Sequence, residues 1–273
     1  MLHLPKIIFL FLVFLLSPAF AEMESTECKI LIEKNQCMEA IRICKNAAEQ
    51  GDAKAQTLLG FLYSGTSNGD FRKNYKESFR WISLAAEQDF TKAQLAMAEM
   101  YMGGEVVPEN AKKAKIWFEK AAEKGNLDGI NGLARLYRYG TGVRKDYEKA
   151  FELYQQAALQ NHTRSQVGVG LSYRDAKGVK KNVIKAYAWL SLAAERMDDR
   201  ALKDLQKHWE NEREDMDKTI PQCKYVLRTD KMAEIFAVGY AKRALFDLKQ
   251  RMGLKQIKKA KDLAVQLRAE ISP

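Results

Sequence analysis

The chain has 273 residues, of which 47% are hydrophobic and 29% charged, with a formal net charge of +10. That balance excludes a disordered chain and a bilayer-embedded one, and the length is that of one elongated domain or two small ones. Only five prolines occur, and Ala, Lys, Glu and Leu dominate, which favours helix over sheet.

Residues 1–21 read as a signal peptide. Lys6 supplies the positive charge, Ile7–Leu16 is an unbroken apolar run, and Ala19-Phe20-Ala21 forms a small-x-small cleavage site. Ten helical residues rise about 15 Å, half a hydrocarbon core, so the run is too short for a spanning anchor. Cleavage after Ala21 removes only Lys6 among the charged residues, leaving a formal charge of +9. The expectation is export without a transmembrane segment, to the periplasm or, as the alternative, beyond the cell.

Residues 22–50 read as a degenerate helical hairpin that caps the N-terminal end, with a turn near Asn35-Gln36. Cys28 lies eight residues before Gln36 and Cys44 eight after it. The two face each other in an antiparallel hairpin, so a Cys28–Cys44 disulfide is expected, in keeping with an oxidising compartment. Cys37 and Cys223 are left over, and whether they pair stays open.

Residues 51–196 hold four copies of one pattern. An Ala pair stands at Ala85-Ala86, Ala121-Ala122, Ala157-Ala158 and Ala193-Ala194, in steps of 36, with an irregular copy at Ala47-Ala48. Trp81, Trp117, Leu153 and Trp189 precede the pairs by four residues, and Ser78, Ala114, Ala150 and Ala186 by seven. Asn74, Asn110, Asp146 and Asn182 precede them by eleven. These columns describe a helix with an Asn/Asp N-cap and one apolar face. Asp89, Gly125 and Asn161 follow it as residues suited to a left-handed C-cap. A second helix precedes it, with small columns Ala55, Ala93, Gly129, Ser165 and Gly60, Ala98, Ala134, Gly170, then Tyr63, Tyr101, Tyr137, Tyr173. The inter-helix links read Gly140-Thr141-Gly142-Val143 and Ala176-Lys177-Gly178-Val179, while the first link is longer, through Ser64–Asn74.

This pattern resembles the Sel1-like repeat, a relative of the tetratricopeptide repeat. The third unit carries it from Leu133-Ala134 through Tyr137, Gly140, Gly142-Val143, Asp146, Ala150 and Ala157-Ala158, departing at Leu153 and Asn161. The resemblance implies an all-α fold, a right-handed α/α superhelical solenoid of Sel1-like or TPR-like hairpins. It also implies a protein-interaction scaffold, acting in envelope signalling, secretion or host contact. Exported relatives carry a Cys early and another in Ala-x3-Cys, matched here by Ala40 and Cys44.

Residues 197–240 read as a charged helical insertion, with a helix over Asp199–Lys218 broken at Ile220-Pro221. Residues 230–251 are expected to be helical again. Residues 241–273 are the capping helices, and Leu248 to Ala264, with Gln256-Ile257, Ala260 and Leu263-Ala264, is similar to the family's terminal segment. Nine Lys/Arg against three Asp/Glu in 241–273 suggest a weak contact with an anionic surface. Nucleic acid is not expected, since no basic-aromatic stacking pattern occurs.

Candidate chemistry is sparse. Gly65-Thr66-Ser67-Asn68-Gly69 satisfies G-x-S-x-G but sits in an inter-helix turn rather than between strand and helix. Gly168-Val169-Gly170 lacks the third glycine of a dinucleotide loop. His162 stands at a helix end, where the dipole accounts for it, and His208 lies in the charged insertion. No Ser/His/Asp set, carboxylate pair or metal cluster converges in the pattern. No catalytic residue, metal or cofactor is therefore expected. A link to β-lactam hydrolysis through cysteine-rich relatives is weak, because residues 51–196 contain no cysteine. Two columns vary while their neighbours stay uniform: Phe61, Glu99, Arg135, Leu171 and Ser64, Met102, Arg138, Arg174. They are the candidate partner-binding positions, expected to face a protein or peptide in the concave groove of the solenoid.

Overall fold

Asn74, Asn110, Asp146 and Asn182 each end a loop and start a helix. Their side chains accept the backbone N–H of Glu77, Lys113, Lys149 and Lys185 at 3.1, 3.0, 2.9 and 2.9 Å, satisfying one orphan amide each. In three of the four, the same residue's own N–H donates to the carbonyl of the preceding tyrosine: Asn74 to Tyr63, Asp146 to Tyr137 and Asn182 to Tyr173, at 2.8–3.0 Å. One short polar residue thus caps a helix and clasps it to its hairpin partner.

The computed structural model describes residues 18–65, 74–196 and 229–271. Among them stand twelve helices and no strand: α1 Pro18–Glu33, α2 Cys37–Glu49, α3 Ala53–Gly65, α4 Tyr75–Glu87, α5 Thr91–Gly103, α6 Ala111–Glu123, α7 Leu127–Tyr139, α8 Tyr147–Ala158, α9 Thr163–Asp175, α10 Val183–Ala194, α11 Thr229–Lys249 and α12 Leu254–Ile271. The fold is all-α, of the α/α solenoid class. Two compact units divide between Glu109 and Asn110, the first holding α1–α5 and the second α6–α12. Within each, the helices of α1–α5 and of α6–α10 pack on their neighbours in chain order, and α12 closes the second unit against α10.

The turns are left-handed where short polar residues or glycine stand: Asp89 at φ 67°, Gly125 at 74° and Asn161 at 63°. The Ala pairs are buried on the inner face of each helix, apart from a half-buried Ala122. The Trp column divides: Trp81 and Trp189 are buried, while Trp117 and Leu153 are half-buried. The deepest large side chains sit one residue later, at Ile82, Phe118, Tyr154 and Leu190. Each fills a hole opposite a glycine. A Cβ at Gly60 or Gly132 would overlap Ile82 or Phe118, and one at Gly168 or Gly170 would stand 2.6 Å from Tyr154 or Leu190. Glycine in a helix costs about 1 kcal/mol relative to alanine; here it admits a knob whose burial returns about 1.5–3 kcal/mol.

In the first unit a disulfide joins Cys28 on α1 to Cys44 on α2, with Cα atoms 5.2 Å apart. No free thiol stands among the described residues; Cys223 lies outside them. So do the expected helix 199–218, His208, Ser67 of the G-x-S-x-G turn, and residues 1–17 of the expected signal peptide. The helix α1 begins at Pro18, so the expected cleavage point falls within its first turns. The expected boundary at 240 falls inside α11, whose buried stripe Ile235, Val238, Ala241, Ala244 and Leu248 is continuous across it. Among the described residues, no helix is long and apolar enough to cross a membrane.

Candidate functional site

Repeating helices one unit apart places residues about 34–36 positions apart side by side, and α7 and α9 are such a pair. Asn131 Nδ2 donates to Ser165 Oγ at 3.0 Å, and Arg138 Nη1 to Ser172 Oγ at 3.4 Å. His162, the N-cap of α9, spans the same gap: its Nε2 lies 2.8 Å from Asp128 Oδ1 and its Nδ1 2.8 Å from Ser165 Oγ. Arg164 also donates to Asp128. Burial pushes the Asp128 carboxyl up, but the His162 hydrogen bond and the Arg164 charge outweigh it and hold the group below the ordinary aspartate value.

A serine, a histidine and an aspartate therefore do converge, contrary to the sequence expectation. The arrangement is a lock between helices rather than a nucleophile. Ser165 is 0% exposed, so no substrate reaches its Oγ. That Oγ already accepts from Asn131, and the aspartate is on the other ring nitrogen from the one used in hydrolytic triads. The role expected for His162, a partner for a helix dipole, is replaced by this cross-helix bridge.

Beside the lock opens a groove of about 750 Å³, lined by α7, α9 and α11. Arg135, Arg138, Arg164, Arg174 and Lys177 reach it, and Asp175 is the one carboxylate among its lining residues. Asp175 takes two hydrogen bonds from Arg174, at 2.6 and 3.1 Å, and lies 3.7 Å from Arg138. The Arg174 hydrogen bonds hold its carboxyl below the usual value. Tyr240 of α11 faces Arg174 from the other wall, and Phe236, one turn earlier, is 69% exposed. Tyr154 forms part of the floor, where burial pushes its phenol up to about 12. Glu234 anchors α11 here, accepting from Thr163 at 3.3 Å and Arg196 at 3.4 Å.

Four of the candidate partner-binding residues, Arg135, Arg138, Leu171 and Arg174, meet in this groove. Arg138 is only 8% exposed and is held by Ser172 and Asp175, so it acts as part of the wall. Phe61, Ser64, Glu99 and Met102 lie in the first unit. There Ser64 donates to the Phe61 carbonyl at 3.0 Å and Lys92 stands 6.0 Å from the Phe61 ring, while Glu99 is exposed and Met102 half-buried. The α11 side chains Phe236 and Tyr240 were not among the expected residues. Among the described residues, no three His, Cys, Asp or Glu groups gather as a metal site.

The Sel1 repeat family model matches residues 53–90, 91–126, 127–162 and 163–196. A Sel1 repeat protein from Oxalobacter formigenes is similar in structure, at 29% identity over 70% of this chain and 76% of that one, with a TM-score of 0.60. A protective antigen present in uropathogenic Escherichia coli strains, displaying an SLR fold, matches at 23% identity and a TM-score of 0.59. It covers 93% of this chain, which spans about half (54%) of that protein. Among curated proteins, none matches. Proteins with these repeats are generally protein-interaction scaffolds. Four repeats over more than half of the sequence, on helices that pack in the same order, make the chain a member of the Sel1 repeat family.

Proposed function

We propose that the protein is an exported, non-enzymatic scaffold that holds a segment of a protein partner in the α7–α9–α11 groove. The observation that carries this reading is the groove: guanidinium and aromatic side chains, the types enriched at protein interfaces, line a cleft of about 750 Å³. The face of α3 and α5 that bears Phe61, Ser64, Glu99 and Met102 offers a second contact surface. Export is supported by the apolar run before Ala19-Phe20-Ala21 and by the Cys28–Cys44 bond, which persists in oxidising compartments. A photo-crosslinking residue at Phe236 is expected to capture a discrete protein in the native host. The same residue at Glu152, on the outer face of α8, is not. Equal labelling from both positions, or none from 236, contradicts the reading. Mass spectrometry of periplasmic protein is expected to find Glu22 as the N-terminus; an intact Met1 there contradicts export by cleavage.

A weak contact of residues 241–273 with an anionic surface is a second reading. It is favoured by Leu254, which is 88% exposed at the α11–α12 turn amid lysines. Pelleting with phosphatidylglycerol vesicles but not phosphatidylcholine vesicles is the expected result. Culture fractionation separates a periplasmic scaffold from a secreted host-interaction factor. A nitrocefin assay tests the hydrolase alternative, and no turnover is expected.

A further inference from the structure

We infer that the turn between α11 and α12 docks on an anionic lipid membrane, with Leu254 entering the acyl region and lysines resting on the headgroups. The inference rests on the anionic-surface reading above and deepens it, naming the surface and the residue that enters it. The local chain explains why Leu254 is held outward. The Gly253 N–H donates to Gln256 Oε1 at 3.2 Å, and the Gln256 and Ile257 N–H groups donate to the Gly253 carbonyl at 2.9 and 3.1 Å. These bonds start α12 at Leu254. Met252 before it and Ala260 after it are buried in the second unit's core, and Ile257 packs against that core. The turn is thereby pinned on both sides, and Leu254 is left outside it. Leu254 is 88% exposed, and no other large apolar side chain among the described residues is so exposed. Phe246, in the last turn of α11, is 64% exposed.

A single exposed leucine is ordinary on a protein surface; this one is distinguished by its surroundings. Residues 247–262 hold Lys249, Arg251, Lys255, Lys258, Lys259 and Lys261 against Asp247 and Asp262. All six cations are exposed, and none makes an ion pair among the described residues. Lys242 and Arg268 already have partners and are not counted. Lys258 and Lys261 follow Leu254 by four and seven residues, on the same face of α12. Helical side chains lean toward the N-terminus, so both lysines reach back toward the level of Leu254. Their methylene stems can lie along acyl chains while the ammonium groups stay among phosphates. An anionic polymer meets the lysines but leaves Leu254 in water. A lipid surface takes both, and a cluster of cations with one apolar insertion gives a reversible peripheral contact.

The test uses the full-length protein with its disulfide intact, sedimented with vesicles of phosphatidylglycerol and phosphatidylethanolamine or of phosphatidylcholine alone. The unaltered protein is expected to bind the first and not the second, and to weaken as salt is raised. Leu254→Ser, a change at an exposed side chain, is expected to weaken binding about tenfold or more with the thermal midpoint unchanged. Leu254→Trp is expected to keep binding. Relative to the unaltered protein, its added emission should move to shorter wavelength on the vesicles and be quenched by lipids brominated in the acyl chain. The comparison of vesicles on the unaltered protein does not depend on any variant folding. If the anionic vesicles bind but Leu254→Ser is as tight as the unaltered protein and Leu254→Trp is not quenched, insertion is overturned and the anionic-surface reading stands. If immobilised polyphosphate retains the protein while the anionic vesicles do not, the lipid assignment is overturned and that reading again stands. If neither surface binds, both fail.

Discussion

Ala176 occupies the left-handed C-cap of α9 at φ 56° and ψ 41°, where Gly104 and Gly140 stand after α5 and α7. A left-handed non-glycine residue costs about 1–2 kcal/mol, partly offset by the chain entropy that glycine adds on unfolding. Ala176→Gly is therefore expected to stabilise the protein by about 0.5–1 kcal/mol in urea titrations; a loss of stability would show that the cap is not strained. Gly168→Ala acts in the opposite sense. Its Cβ would lie 2.6 Å from Tyr154 Cδ1, and overpacking of this kind costs about 1–3 kcal/mol. Ser165→Ala removes the partner of Asn131 and of His162. About 1–3 kcal/mol of stability should go with it, and any loss of a measured hydrolytic activity without loss of stability would reopen the nucleophile reading. At this scale the caps were legible in the sequence, because Asn, Asp and Gly act on their own backbone. The 128–162–165 lock was not. Its signal is a polar pair 34 positions apart, as in His162–Asp128, Asn131–Ser165 and Arg138–Ser172, and a search within single helices passes over it.

A covalent tie joins α1 to α2 within the first hairpin. Cys28 and Cys44 are separated by 16 residues, and closing a loop of that length stabilises by about 3 kcal/mol in the chain-entropy account. A Cys28→Ser, Cys44→Ser double variant is expected to lose about that much, with amide exchange rising in α1 and α2 first; unchanged exchange there contradicts the staple. This pairing was readable because the turn at Asn35-Gln36 fixes the hairpin register. The position of α11 was not readable. Its periodic stripe announces a helix, but nothing in a local pattern says that Ala241, Ala244 and Leu248 join the second unit's core or that Phe236 and Tyr240 line the groove. The variable columns likewise named candidate positions without showing that Asp175 would draw Arg138 into the wall.

Across the molecule, acid is the condition that separates the packed core from its ionic locks. The Asp128 and Asp175 carboxyls are held below the ordinary aspartate value, so each contributes stability that is complete above the unfolded value of about 3.9. That contribution is lost as pH falls through the lower folded values. Denaturation midpoints are expected to be flat with respect to these two groups above about pH 5 and to fall below pH 4. Asp128→Asn should flatten that decline, and an undiminished decline in the variant would contradict the lock. The fold class was legible from the 36-residue step alone, since repeated small and bulky columns determine which faces meet. Function was legible only to the class of scaffold, because a groove takes its chemistry from residues far apart in the chain. The most direct measurement is amide hydrogen exchange of the full-length protein with and without the partner captured at 236. Protection is expected in α7, α9 and the first half of α11, with α8 unchanged; protection confined to α8 or to the first unit would contradict a groove-held partner.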